Sequence, residues 1–198
     1  MTGAASLAAS GPAADGRRRR SQDNRARIVR AMLELVREGE VAPAAAAVAV
    51  RAEVGLRTVF RHFDDMDSLY REMSAVIYGE LVTLIERPFE SPDWRRRLTE
   101  IVRRRAAVYE RVAAFRRAGD VHRHSSLQLQ AEHAAFVARG RDVLRRTLPP
   151  EIARDPVRFE AIDLLLSFDV WNRLRGDQKT SQHRAIQIVE RLLEGLVD

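Results

Sequence analysis

The chain has 198 residues, enough for one large domain or for a small domain fused to a medium one. Apolar residues make up 45% of the sequence, so a sizeable core can form and disorder of the whole chain is not expected. The absence of cysteine excludes disulfides, thiolate zinc sites, iron–sulfur clusters and cysteine nucleophiles. No apolar run approaches the roughly 20 residues that span a bilayer, and the N-terminal residues make a poor signal peptide, so we expect a cytoplasmic protein without membrane contact.

The net charge of +6 is concentrated near the N-terminus. Between Gly16 and Phe63 there are 11 arginines and 5 acidic residues, whereas residues 64–198 carry 23 basic and 22 acidic residues. A basic block on an otherwise balanced chain favours an anionic partner, most often nucleic acid. The alternative is a solvated basic helix without a partner.

The predicted elements begin with a stretch of small residues that is followed by four arginines, Arg17–Arg20, and this composition predicts a flexible basic arm over residues 1–20. From Ser21 onward, apolar residues recur at helical spacing and no segment alternates with a period of two. We therefore expect an all-α fold, with one domain over residues 21–70 and a larger regulatory and dimerisation domain over 71–198. The predicted helices span about 21–38, 43–49, 56–62, 64–87, 93–117, 121–147 (two helices), 156–175 and 180–196.

Residues 44–63 carry the most informative pattern. Three short helices in about 40 residues, of which the second and third are joined by a tight turn, are typical of the helix-turn-helix motif. In the third helix Val59 and Phe63 are spaced to anchor it to a core. The opposite face offers guanidinium, hydroxyl and imidazole groups, which bind phosphates and base edges in the major groove. These outward groups belong to Arg57, Thr58, Arg61 and His62.

Both ends of the chain resemble the TetR family of transcriptional repressors. The N-terminal resemblance is specific, and the C-terminal one is supportive. Between them, residues 88–155 share only helix lengths with the family. The segments that carry the resemblance are 25–35, 39–43, Val48, Ala49, Ala52, Val54, 57–63, Asp67, Ser68, Leu69, Tyr70, 167–176 and 185–196.

The resemblance implies a homodimer that binds a palindromic operator and is released by a small-molecule effector, whose identity it does not reveal. It implies that Phe60 lies against the sugar–phosphate backbone beside the third helix. The basic arm can add contacts along the backbone or in the minor groove, through Arg18, Arg19 and Arg20.

Several positions depart from the family pattern. Pro43 and Ala44 stand where a hydroxyl residue usually caps the second helix, and Glu53 replaces the glycine of the turn. If that position needs a positive φ, a side chain there costs roughly 1 kcal/mol. Phe60 replaces a tyrosine, and Met66 replaces a lysine beside the acidic residues Asp64, Asp65 and Asp67. Contacts to phosphate are therefore expected to be fewer than in typical relatives.

No enzymatic activity, metal site or bound cofactor is expected. The phosphate-binding, nucleophile-elbow and zinc-protease motifs are absent from the sequence. Metal binding would require several histidines to converge without the help of thiolates. The histidines in question are His122, His124, His133 and His183.

The last two predicted helices are expected to form the dimer interface. The eighth is apolar on all sides, and a helix of this kind must be covered on all sides. In a chain this short a second subunit is the natural cover, although a central core helix in a monomer is the alternative. The expected interface residues are Leu164, Phe168, Trp171, Ile186, Val189, Leu192, Leu193 and Leu196.

One charge lies in an apolar stripe. On the fifth predicted helix Arg105 falls between Ile101 and Tyr109, and a guanidinium in a core must be paired. One interpretation is an internal salt bridge, with Asp169 as the possible partner, or an arginine that extends to water. The other is that Arg105 lies in the effector site and binds an anionic or polar ligand group. In the second case the apolar walls are Trp94, Tyr109 and Phe168.

The sequence thus predicts a sequence-specific DNA-binding regulator, most consistent with a ligand-responsive repressor. The alternative is an architectural or weakly specific DNA-binding protein without ligand control. A helical enzyme or carrier is a third and less favoured reading, because the sequence lacks the corresponding motifs.

Overall fold

A computed structural model describes residues 12–123 and 126–198, and it confirms the all-α prediction. Every regular element in these residues is helical, and no helix among them is long and apolar enough to cross a membrane. The helices are α1 Pro12–Arg37, α2 Ala45–Arg51, α3 Leu56–His62, α4 Met66–Ile85, α5 Trp94–Arg123, α6 Leu127–Thr147, α7 Pro150–Ala153, α8 Pro156–Leu165, α9 Phe168–Asn172 and α10 Gln182–Val197, with a π-helical turn at Arg173–Asp177.

The chain divides into two compact units, Met1–Met73 and Ser74–Asp198. The division falls inside α4. In the first unit the helices α1, α2 and α3 pack together. Their shared core contains fully buried side chains from each of them and from the start of α4, namely Ile28, Met32, Val48, Val59 and Leu69.

The first helix begins earlier than predicted. The predicted start near residue 21 is wrong, because α1 starts at Pro12 and includes Arg18, Arg19 and Arg20. Proline is well tolerated at a helix start, and arginine is a good helix former, so the basic residues continue the helix. The expected flexible arm is therefore wrong for residues 12–20. Residues 1–11 lie outside the described part of the chain.

In the second unit α5 is the central helix and contacts α6, α9 and α10. The predicted end near residue 117 is wrong, since α5 continues through Gly119 to Arg123. An interior glycine costs about 1 kcal/mol relative to alanine. The neighbouring Phe115 and Ala118 are buried, and their packing offsets that cost.

The predicted eighth helix is broken into segments. Its first part, α8, ends at Leu165, and Ser167 caps α9 by accepting a hydrogen bond from the backbone N–H of Val170 at 3.2 Å. A π-helical turn then follows directly after α9. Because of this break, the carbonyl oxygen of Leu166 accepts hydrogen bonds from side chains of α5.

Candidate functional site

The turn that joins α2 to α3 is strained at the position where the family pattern has glycine. Glu53 has a φ of 52°, in the left-handed region that costs a residue with a side chain roughly 1–2 kcal/mol. The positive φ that the sequence analysis considered for this position is therefore present. Two backbone hydrogen bonds hold the turn, from Glu53 N to Val50 O at 3.1 Å and from Val54 N to Ala49 O at 3.0 Å.

The two faces of α3 are divided largely as predicted. Val59 is buried within α3 and Phe63 is buried directly after it, so together they fix the helix on the core. Arg57 and Arg61 are exposed on the opposite side, and Phe60 beside them is 49% exposed. Thr58 is half-buried, so its hydroxyl is less available than the two guanidinium groups.

Acidic residues of the first unit neutralise arginines away from α3. Arg51 donates to both carboxylate oxygens of Glu38, at 2.7 and 2.6 Å, and these bonds lower the pKa of the glutamate. Two further pairs are Arg27 with Glu53 and Arg25 with Glu72. In the described residues no carboxylate lies within salt-bridge distance of Arg57 or Arg61. The uncompensated positive charge therefore includes the exposed face of α3.

The structure does not support His62 as an outward donor. Its Nε2 is enclosed by protein and has no hydrogen-bond partner among the described residues. Burial lowers the pKa of the imidazole, and Arg61 and Arg25 lower it further, so the ring is neutral at pH 7. Arg25 donates to the carbonyl oxygen of His62 at 2.5 Å and lies over the ring of Phe63. His62 is thus part of the contact that holds the end of α3 against α1.

The predicted basic arm is an exposed part of α1. Arg18, Arg19 and Arg20 are all exposed there. Arg18 precedes Arg25 by seven residues, so it shares a helix face with Arg25 and lies about 10 Å further along the axis. Arg25 contacts the C-terminal end of α3. The part of α1 that carries Arg18 therefore continues past this end of α3.

Two apolar residues near α3 were missed by the sequence analysis. Val50 on α2 is 80% exposed and Leu56 at the start of α3 is 45% exposed. Exposed aliphatic groups on α2 and at the start of α3 can contact the methyl groups of thymine in a major groove. The helical period could have predicted this exposure for Val50. Its side chain is rotated by about 100° from Ala49 and about 200° from Val48 around the axis of α2, so it lies on a different face from these two buried residues.

Half of the predicted dimer interface is instead the core of the second unit. Phe168, Trp171, Val189 and Leu193 are buried within the chain itself, so the expected need for a second subunit to cover them is wrong. The cover comes from α5 and the π-helical turn for α9, and from α5 and α8 for α10. The other four predicted interface residues stay at least partly accessible. Leu164 is 62% exposed, Leu192 is 50% exposed, and two further side chains are half-buried. These two are Ile186 and Leu196.

Arg105 is held by backbone carbonyl groups from two helices. It donates to the oxygen of Leu166 at 2.8 Å and to that of Gly140 at 3.0 Å. Tyr109 donates to the same Leu166 oxygen at 2.9 Å. The nearby carboxylate is Asp163 at 3.9 Å, while the predicted partner Asp169 is exposed at the start of α9. The Asp169 pairing is therefore wrong, because the break after α8 supplies a closer acceptor.

The four residues predicted to bind an effector do not form one site. Tyr109 and Phe168 are together, in a T-shaped contact with ring centroids 5.5 Å apart. Trp94 precedes Arg105 by eleven residues on α5, which places it about 16 Å away along the axis, so it cannot line the same site. Trp94 instead lies under the guanidinium of Arg95 at 4.4 Å. Among residues 12–123 and 126–198 no group of three or more histidine or acidic residues could hold a metal ion.

Comparisons with known protein families, with curated proteins and with solved structures find no match for this chain.

Proposed function

We propose that the protein is a DNA-binding transcriptional regulator, of the type that its sequence resembles, and that α2 and α3 form its helix-turn-helix. In this proposal α3 enters the major groove, Arg57 and Arg61 contact bases or phosphates, and Phe60 lies against the backbone. The exposed start of α1 adds non-specific contacts through Arg18, Arg19 and Arg20. Such a protein works in the cytoplasm.

One observation carries the proposal. Three glutamates of the first unit are paired with Arg25, Arg27 and Arg51. The two arginines of the exposed α3 face have no carboxylate within salt-bridge distance among the described residues. The unpaired guanidinium groups of α3, together with exposed Leu56 at its start and exposed Val50 on α2, provide both kinds of contact that read base edges.

The proposed assembly is a homodimer through α8 and α10. The exposed apolar side chains on these two adjacent helices are Val157, Leu164 and Leu192, with exposed fractions of 77%, 62% and 50%. Covering them removes apolar surface from water, which is favourable at about 25 cal/mol per Å². A two-fold dimer also matches the two half-sites of a palindromic operator. Binding of a small molecule in the second unit would shift the population away from the DNA-binding conformation.

The first experiment selects preferred duplexes from a random pool and measures binding by fluorescence anisotropy over a range of salt concentrations. Arg57→Ala and Arg61→Ala are compared with Arg191→Ala, which removes an exposed arginine from α10. If an arginine reads a base, its loss costs about 1–3 kcal/mol on the selected duplex and less on a random one. The Arg191 variant is expected to bind as the wild type does.

The salt dependence separates the proposal from an architectural role. A specific regulator binds its selected duplex far more tightly than a random duplex at the same salt concentration. An architectural protein shows similar affinities for both and a similar salt slope. Unchanged DNA binding by both α3 variants would show that α3 is not the recognition helix.

A further inference from the structure

The second unit contains an arginine that has no salt bridge among the described residues. Arg116 on α5 is partly buried, and its Nε is enclosed without a hydrogen-bond partner. In the part of the chain that the structure describes, no carboxylate lies within 4.0 Å of this guanidinium. Burial lowers the pKa of Arg116, but arginine stays protonated in proteins, so a positive charge remains here. A partly buried guanidinium with neither a paired carboxylate nor a hydrogen-bond partner for its Nε is unfavourable and requires an explanation.

Aromatic rings surround this charge. The central carbon of the guanidinium lies 5.0 Å from the ring centroid of Phe168 and 5.6 Å from that of Phe136. Tyr109 contacts Phe168 edge to face. Cation–π contacts stabilise the charge, but a ring supplies no lone pair for the N–H groups. The N–H groups of Arg116 therefore have no acceptor among the described residues, and only an acceptor from elsewhere, such as a ligand, can accept their hydrogen bonds.

His133 on α6 is a second donor near Arg116. It is half-buried, and desolvation, followed by the charges of Arg116 and Arg123, lowers its pKa. The ring is neutral at pH 7 and can donate one hydrogen bond without adding charge. Two carboxylates, Asp120 and Asp169, act electrostatically on both Arg116 and His133. Arg123 compensates Asp120 through a salt bridge at 3.2 Å.

We propose that Arg116 is the anion-binding residue of a ligand site, and that its ligand is a monocarboxylate with an apolar body. The planar fork of a guanidinium matches the two oxygens of a carboxylate. The rings of Phe136 and Phe168 provide the apolar surroundings. A doubly charged phosphate fits less well, because one unpaired arginine faces two nearby aspartates. The inference deepens the proposed function by giving the chemical class of its effector, and it moves the effector contact from Arg105 to Arg116.

The binding test uses the full chain without DNA. Benzoate, phenylacetate and octanoate are used as probes, with benzamide and inorganic phosphate as controls, and the readouts are thermal shift and isothermal titration. At least one carboxylate is expected to raise Tm, whereas benzamide and phosphate are not. In Arg116→Met the affinity is expected to fall by about tenfold to a hundredfold, in line with the loss of a charge-assisted hydrogen bond. Arg111→Met, which changes an exposed arginine on the same helix, is expected to bind as the wild type does.

The unliganded variants test a purely structural role. If Arg116 awaits a ligand, Arg116→Met should have a Tm equal to or above that of the wild type, because an apolar side chain replaces an uncompensated charge. A marked fall in its Tm would overturn the proposal, as would carboxylate binding that survives in this variant or a wild type that binds none of the three probes. Equal binding of phosphate would refute the monocarboxylate assignment.

The two proposals can fail separately. If a carboxylate binds through Arg116 and the protein binds no selected duplex, the DNA-binding function fails and the ligand site stands. If DNA binds specifically and no carboxylate binds, the ligand site fails alone. When both bind, adding the carboxylate to the protein–DNA complex should lower the anisotropy of the wild-type complex but not that of the Arg116→Met complex.

Discussion

Replacement of Arg105 by methionine should destabilise the protein strongly, because this residue joins three helices. Its two hydrogen bonds, at 2.8 Å to Leu166 O and 3.0 Å to Gly140 O, connect α5 to the end of α8 and to α6. A hydrogen bond from a charged donor contributes about 1.5–3 kcal/mol. Leu166 O keeps the bond from Tyr109, so the loss is less than the full sum. We expect the free energy of unfolding to fall by about 2–4 kcal/mol.

The measurement is urea denaturation followed by circular dichroism, at one fixed protein concentration, because oligomerisation changes apparent stability. The midpoint should fall while the m-value stays constant. Arg103→Met is the matched control. Arg103 lies on the same helix with a largely exposed side chain, 3.4 Å from Glu190. The side chains of Arg103 and Glu190 are 67% and 27% exposed, so solvent still screens this pair and it contributes about 1 kcal/mol or less. A small change is therefore expected.

A double-mutant cycle with Tyr109→Phe tests the shared acceptor. Because Arg105 and Tyr109 donate to one oxygen, their substitutions should be non-additive by at least about 0.5 kcal/mol. A fall of less than about 1 kcal/mol for Arg105→Met, or a fall equal to that of Arg103→Met, would refute the reasoning. If stability held and only the response to a ligand disappeared, Arg105 would be a ligand contact after all.

Three further outcomes are expected. Glu53→Gly relieves the left-handed backbone conformation, so it should raise the free energy of unfolding by roughly 0.5–1 kcal/mol and also tighten DNA binding. Glu53→Gln keeps that conformation and should affect only DNA binding. Equal stabilities of the two variants would contradict this prediction. Leu192→Glu should convert a dimer into monomers in light scattering, while Gln187→Glu on the same helix should not; a native chain that is already monomeric at micromolar concentration would exclude the assembly. The pKa of Glu110 lies below its ordinary value of 4.5 because Arg175 hydrogen-bonds to its carboxylate, so its stabilising effect is present above about pH 4.5 and is lost as the pH falls. Glu110→Gln should therefore be less stable than the wild type at pH 7 but lose less stability in an acid titration; parallel pH profiles would argue against this pair.

The sequence by itself predicted the all-helical class, the bounds of α3 and the distribution of charge. The bounds of α3, Leu56–His62, agree with the prediction because the preceding Gly55 and the aspartates after Phe63 are local signals. The division of α3 between buried Val59 and exposed Arg57 also follows from the helical period alone. The excess of arginine before Phe63 needs no structure, since it is a property of composition. Such features depend on residues within one or two helical turns of each other.

The tertiary structure decided which groups meet across long separations in sequence. Arg105 finds Leu166 and Gly140, which are 61 and 35 residues away, and no periodicity within α5 could select them over Asp169. The same holds for Phe168 and Leu193, which looked available to a second subunit but are buried by neighbouring helices of their own chain. The spacing of apolar residues along a helix predicts which face is apolar, but it does not predict which element packs against that face. Burial and hydrogen-bond partners depend on how helices pack, and packing is settled by the sum of many distant contacts.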